Sequence, residues 1–224
     1  MLRLRILVPA LLGLLVLGAL VASSASAVEG LLPLNQSATL LSGKAILETP
    51  DKAKIVCGET KGSTKAETGS DTKGTATFDF LKCEISGFVS FSLGDKEPKE
   101  LKESVILVPG TYEVCLINST ALTFGLFIKL SETIHVHAKA LGILTNLSSS
   151  IIGQVGTNKG KLIKVAFTGK EGKQESGTTC KDSAGNVKTA ELKAEKDPSA
   201  ALTGSENVEG GLLQFTNEVE FMDT

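Results

Sequence analysis

The chain has 224 residues, 42% of them hydrophobic, and a formal net charge of −2 at pH 7, so it can bury the core of one or two domains. Its charges form no basic run, which disfavours nucleic acid as a partner because phosphate binding needs concentrated positive charge. It contains no tryptophan and one tyrosine, which disfavours the aromatic surfaces typical of many glycan- and protein-binding sites.

The first 27 residues have the three parts of a secretory signal peptide. Arg3 and Arg5 precede an apolar run over residues 6–21, and Ala25-Ser26-Ala27 follows as a cleavage site. The run is shorter than the roughly 20 residues of a membrane-spanning helix. We therefore predict export, removal of residues 1–27 and no membrane span afterwards. The mature protein would work outside the cytoplasm, in the medium or at the cell surface.

The remaining chain, residues 28–224, is predicted to form a single all-β domain. Within residues 75–81, Phe78 and Phe80 share one face while Thr77 and Asp79 lie on the other, and this period of two is typical of a strand. Similar segments cover residues 86–93, 161–167, 189–194 and 212–222. Turn signals at short intervals favour an antiparallel sandwich or an irregular barrel.

Several polar, glycine-rich segments are predicted to be turns, at residues 61–63, 68–71, 158–160, 182–186 and 209–211. Residues 58–74 are accordingly expected to hold a short polar strand between two tight turns. Pro98 and the charges at residues 94–102 mark an exposed loop or a seam within the domain. The most apolar segment, residues 122–152, is expected to supply central strands buried on both faces.

The four cysteines predict two disulfides, because their even number in an exported chain is typical of an oxidising compartment. Three pairings are possible. We favour the sequential one, Cys57 with Cys83 and Cys115 with Cys180, and the other two stay open. The first bridge would close a loop that contributes about 3 kcal/mol to stability. The spacings are too wide for a C-x-x-C redox or zinc motif.

His135 and His137 are the only histidines, and they are the only metal-ligand candidates that the sequence offers. They flank Val136 and would share one face of a strand, where a third ligand from a neighbouring strand would complete a site. Lys139 continues that face, which disfavours a bound cation. We expect a polar strand face, with no metal and no cofactor.

Catalytic motifs are missing: the sequence has no G-x-S-x-G, H-E-x-x-H, P-loop or dinucleotide fingerprint. A pair of carboxylates distant in sequence would still permit glycoside hydrolysis. The candidates are Asp79 and Glu84, near Cys83, and Glu218 with Glu220. Solvated strand faces are the expected role of all four, and a carboxylate-dependent hydrolase is the third hypothesis for function.

Five segments, together with the spaced cysteines, carry a resemblance to a protein group. They are GTYEVC (110–115), FGLF (124–127), IIG (151–153), GKQ (172–174) and TNEVEFMD (216–223). Over residues 39–223 the chain resembles uncharacterised secreted β-rich proteins of soil actinobacteria. The resemblance implies a bacterial, exported protein from a group rich in paralogues, and it carries over no catalytic residue.

The leading expectation is a secreted, non-catalytic protein with an extracellular or cell-surface structural or interaction role. The alternative is a small apolar-ligand-binding β-barrel, in which phenylalanine-rich strands at residues 78–91 and 124–127 enclose a cavity. Such sites are about 300 Å³ or larger. The sequence indicates neither the partner nor the oligomeric state.

Overall fold

The computed structural model describes residues 29–32, 35–48, 54–70, 72–85, 91–93, 105–138, 143–170, 173–174, 178–196, 200–203 and 205–223. The predicted signal peptide and the predicted seam at residues 94–102 lie outside these residues. In the described part of the chain, strands are joined by turns and no residue is helical.

Nineteen strands are present in the described ranges. They are β1 (Glu29–Leu32), β2 (Ser37–Ser42), β3 (Ala45–Glu48), β4 (Lys54–Ala66), β5 (Lys73–Ile85), β6 (Phe91–Leu93), β7 (Val105–Asn118), β8 (Thr123–Leu130), β9 (Ile134–Ala138), β10 (Ile143–Ser148), β11 (Ser150–Val155), β12 (Lys159–Phe167), β13 (Gly169–Lys170), β14 (Lys173–Gln174), β15 (Thr179–Lys181), β16 (Val187–Thr189), β17 (Lys193–Lys196), β18 (Ala200–Thr203) and β19 (Ser205–Asp223).

Eight of these strands close into an antiparallel barrel. Their order around it is β7-β5-β4-β2-β19-β12-β11-β8, and β8 pairs back onto β7 from Gly110–Leu130 to Asn118–Thr123. Closure leaves no unpaired edge within the ring. The prediction of an all-β antiparallel fold is confirmed, and of its two forms the barrel is the one present.

A five-stranded second sheet, in the order β18-β17-β10-β9-β6, leaves the barrel at one end. Strand β8 leads into β9 and β10 leads into β11, so that one long hairpin belongs to both sheets. Ser149, with a left-handed φ of 82°, stands where β10 passes into β11. We call the end of the barrel where β9 and β10 leave it the hairpin end.

The barrel interior is filled by alternate side chains of its strands, as the period of two predicts. Phe78 is buried and Phe80 half-buried, whereas Thr77 on the other face is exposed. Of the segment 122–152, expected to supply central strands buried on both faces, β8 and the start of β11 are barrel strands, whereas β9 and β10 belong to the second sheet. Strand β11 is mostly buried on both faces. Its outer face is covered because the β15–β16 hairpin packs over this side of the barrel: Ile152, on that face, packs with Cys115 and Cys180.

Both disulfides have the predicted sequential pairing. Cys57 and Cys83 are cross-strand partners in β4 and β5, with their Cα atoms 3.9 Å apart. Cys115 of β7 is bonded to Cys180 of β15, at a Cα distance of 5.6 Å. The first bridge therefore joins two adjacent barrel strands, and the second fastens the β15–β16 hairpin to the outside of the barrel.

Two of the predicted turns, at residues 61–63 and 209–211, are wrong because their glycines lie inside long strands. A third, predicted at residues 158–160, is displaced, since Lys159 and Gly160 already belong to β12. Gly62 is in the middle of β4, so the expected short polar strand between two turns is one continuous strand up to Ala66. A Cβ on Gly62 would lie 2.6 Å from the carbonyl oxygen of Thr77. Gly211 lies within β19, where a Cβ would be 3.1 Å from the carbonyl oxygen of Val165. These glycines permit close strand approach.

Candidate functional site

A cavity of about 70 Å³ lies inside the barrel at the hairpin end. Of the described side chains that line it, sixteen are apolar and one, Thr60, is polar. Leu47, Phe80, Leu130 and Leu192 in its wall are only partly buried. These four side chains, which we call the rim, are the part of the lining that is not fully buried.

The floor of the cavity is a layer formed by Leu40, Phe78, Ile128 and Phe167. These four side chains also border a second void of about 10 Å³ deeper in the barrel. The barrel below the layer is therefore closely packed. The upper cavity is much smaller than the roughly 300 Å³ expected for a wholly enclosed ligand, so a complete ligand of that class does not fit inside.

The phenylalanines predicted to enclose a cavity are divided between three places. Phe78 and Phe80 line the cavity. Phe124 packs against Phe221 away from it, with ring centroids 5.9 Å apart. Phe127 packs with the Cys115–Cys180 bridge outside the barrel. The expected contribution of residues 124–127 to the cavity is therefore wrong, and the side chain of Phe91 lies outside what is described.

Thr60 is the polar group of the cavity, and only 1% of its surface is exposed. Its Oγ1 has no hydrogen-bond partner in the described structure. A buried hydroxyl without a partner costs about 1–3 kcal/mol. Thr60 therefore presents an unused donor and acceptor to an otherwise apolar space.

Thr60 reaches the interior because the alternation of inward and outward side chains along β4 shifts by one residue just before it. Ile55 and Cys57, at odd positions, are buried, whereas Thr60, at an even position, is buried further along the same strand. Between them Gly58 faces Lys82 of β5, and Lys82 has a left-handed φ of 55°. The sequence did not predict Thr60 as an internal residue. Strict alternation from the buried Ile55 and Cys57 would place every even position of β4, Thr60 included, on the outer face.

A cluster of charged residues lies on the outside of the barrel, between β7 and the β15–β16 hairpin. Lys188 Nζ is 3.0 Å from a carboxylate oxygen of Glu113 and 3.0 Å from one of Asp182. Lys73 Nζ is also 3.0 Å from Glu113. Glu113 and Asp182 are buried. Sequence reasoning treated residues 182–186 only as a turn and did not find this cluster.

Asp182 organises the turn that follows it. Its Oδ1 accepts hydrogen bonds from the backbone N–H groups of Ala184 at 3.0 Å and Asn186 at 2.8 Å. Burial raises the pKa of this carboxyl, but hydrogen bonds from Asn186 and Lys188 outweigh that effect and lower the pKa to about 2. For Lys188, burial lowers the pKa, but Glu113 and Asp182 raise it above its usual value. These ion pairs and hydrogen bonds therefore stabilise the packing of the β15–β16 hairpin against β7.

The histidines lie in β9, where His135 pairs in register with Asn146 and His137 with Leu144. Their side chains lie outside what is described. Among the described residues, no group of three histidine, cysteine, aspartate or glutamate side chains is placed to hold a metal ion.

The candidate carboxylates stand on the outside of the barrel strands. Glu218 and Glu220 both contact Lys159, at 3.8 and 3.0 Å, and their hydrogen bonds and charges raise its pKa. Asp79 pairs in register with Lys61 across the β4–β5 ladder, and Glu84 is exposed. The two acids of the last strand are thus engaged by one lysine.

Three leucines are exposed together on the outer surface of the barrel. Leu41 of β2 and Leu212 of β19 are cross-strand partners, and Leu162 of β12 pairs with Gln214, two residues along β19 from Leu212. Each is about half exposed. We call these three residues the outer leucine cluster. It is a second apolar surface, distinct from the cavity.

No protein-family model matches the chain, and neither a curated protein nor a solved structure is significantly similar to it. Among the described residues, no helix is long and apolar enough to cross a membrane. The function is therefore inferred from the geometry of the chain's own residues.

Proposed function

We propose that the protein is an exported, non-catalytic binding protein that takes the apolar part of a small molecule into the cavity at the hairpin end. The observation that carries this proposal is the cavity itself, an apolar space inside a barrel that is closely packed below it. The proposal joins the exported, non-catalytic role expected from the sequence to its alternative, an apolar-ligand site.

An unfilled cavity is costly to a folded protein. At about 24 cal/mol per Å³, an enclosed cavity of 70 Å³ would cost about 2 kcal/mol relative to a filled core. Apolar cavities stay dry, and one of about 150 Å³ binds benzene or xenon. The present cavity is about half that size, so we infer that a few carbon atoms enter while the rest of the ligand lies against the half-exposed rim.

Two further observations support export and a non-catalytic role. Both disulfides join cysteines that are buried in the fold, and disulfides of this kind persist in oxidising compartments. This agrees with the export that we predict from residues 1–27. The salt bridges among the described residues join side chains on the outside of the barrel. In each, the partners are oppositely charged side chains, as in Lys188 with Asp182.

The test uses the disulfide-bonded protein purified after export, with n-pentane as the probe. Binding is followed by changes in the NMR signals of isoleucine, leucine and valine methyl groups. Signals from residues that line the cavity, such as Ile106 and Leu147, are expected to shift saturably. Absence of saturable shifts would overturn the proposal, and so would turnover of an ester, glycoside or peptide by the pure protein.

Two substitutions locate the binding. Ala45, which is buried in the cavity wall, is replaced by Val and by Leu, and binding is expected to weaken in that order as the space fills. Leu162→Ala is the matched control because it removes apolar surface from the outer leucine cluster. Loss of pentane binding in Leu162→Ala alone would refute the cavity site and favour an interaction role for the outer surface.

A further inference from the structure

We infer that the hydroxyl of Thr60 selects ligands in which one neutral oxygen group is attached to a short apolar chain, such as ketones or alcohols. This inference rests on the proposed function, because it names the class of molecule that the cavity takes. It requires that Thr60 Oγ1 is buried, lines the cavity and has no partner among the described residues.

The hydroxyl is suited to this role because it both donates and accepts hydrogen bonds. A ligand oxygen beside it would satisfy two groups at once, the ligand's acceptor and the protein's unused donor. A ligand without an oxygen would leave the hydroxyl unpaired. Sites built around a buried polar group reject analogues that cannot pair with it.

The lining also indicates that the ligand group is neutral. None of the described side chains around the cavity is charged, and Cys57 is held in a disulfide. A carboxylate or ammonium group placed there would be buried without a counter-charge, which is strongly unfavourable. The ligand's polar group must therefore be one that a single hydroxyl can satisfy.

Thr64 provides a matched control on the same strand. It is also buried, but its Oγ1 accepts a hydrogen bond from the backbone N–H of Ala38 at 3.2 Å. It lines the deeper void and not the cavity. Thr→Val is nearly isosteric and has the same effect on strand propensity at both positions. Differences between the two variants therefore report the hydrogen bonding of each hydroxyl.

The first measurement compares the stability of the ligand-free proteins by urea denaturation. Thr60→Val is expected to raise the denaturation midpoint, because it removes a hydroxyl that has no partner. Thr64→Val is expected to lower it, because it removes the acceptor of the Ala38 N–H. A lower midpoint for Thr60→Val would show that this hydroxyl already has a partner and would overturn the inference.

The second measurement compares binding of 2-pentanone and n-pentane by methyl NMR titration. In Thr60→Val the affinity for 2-pentanone is expected to fall about tenfold, while that for n-pentane stays within about twofold. Thr60→Ser, which keeps the hydroxyl, and Thr64→Val should preserve the ratio of the two affinities. An unchanged ratio in Thr60→Val would overturn the role of Thr60 alone, whereas failure of n-pentane to bind the wild-type protein would overturn the proposed function.

Discussion

Tyr112 allows a direct test of the packing inside the barrel, because it is the only tyrosine and the chain has no tryptophan. Its ring is buried and lies over Gly74, where a Cβ would be 2.6 Å from a ring carbon. Burial raises the pKa of the phenol from 10.0 to about 12. Any phenolate absorbance from the protein therefore reports this one buried side chain.

The raised pKa makes stability depend on pH in a known direction. The unfolded chain loses the phenolic proton near pH 10, whereas the folded protein keeps it until about pH 12. Below pH 10 the contribution of the neutral phenol is fully present, and it is lost as the pH rises towards 12. Each pKa unit corresponds to about 1.4 kcal/mol, so the free energy of unfolding should fall by about 3 kcal/mol over this interval.

The assay has two parts. Titration of the native protein, followed by phenolate absorbance, should have its midpoint near pH 12, and in urea the midpoint should return to about 10. Urea denaturation of wild type and Tyr112→Phe isolates the effect of this phenol from that of the lysines, which titrate in the same range. A native midpoint near 10, or parallel stability curves for the two proteins, would refute the burial of Tyr112.

Three further predictions concern the charged cluster, the disulfides and one glycine. Asp182→Asn should lower the free energy of unfolding by about 2 kcal/mol at pH 7. This difference from wild type should disappear as the pH falls from about 4 to 2, because the carboxyl has a pKa of about 2 in the folded protein. Urea denaturation at several pH values measures the difference, and a difference that does not change with pH would contradict the prediction. The two disulfides join cysteines 26 and 65 residues apart, and in the loop-entropy model their reduction should lower the free energy of unfolding by about 3 and about 4 kcal/mol, respectively. A melting temperature that reductant leaves unchanged would contradict this prediction. Gly62→Ala should cost about 1–3 kcal/mol in urea denaturation, since its Cβ would meet the backbone of Thr77; wild-type stability would mean that β4 and β5 are farther apart.

Much of the fold could be predicted from local patterns. The alternation around Phe78 and Phe80 gave the correct inward face, because the side-chain period of a strand is a property of the backbone. The sequential disulfides followed the preferred pairing. The choice between sandwich and barrel depended on whether β8 pairs with β7, a contact set by the whole sheet.

The features that could not be predicted depend on neighbouring strands. Gly62 resembles a turn residue in sequence, yet its role is set by the carbonyl of Thr77 across the ladder. Thr60 lies in a polar run, and it is internal only because the phase changes near Lys82. The contact of Lys188 with Glu113 joins residues far apart in the chain. None of these has a signal within a short window of sequence.

Strand β19 has a consequence for how the protein is made. It stands between β2 and β12 in the ring and comes last in chain order among the described strands. Until β19 emerges during synthesis, the other seven strands can form only an open sheet with β2 and β12 as bare margins. Such margins invite aggregation. Completion of the ring must therefore await the synthesis of β19, the last of the described strands in chain order. For a chain that is exported as we propose, this order favours crossing the membrane in an unfolded form and closing the barrel after export.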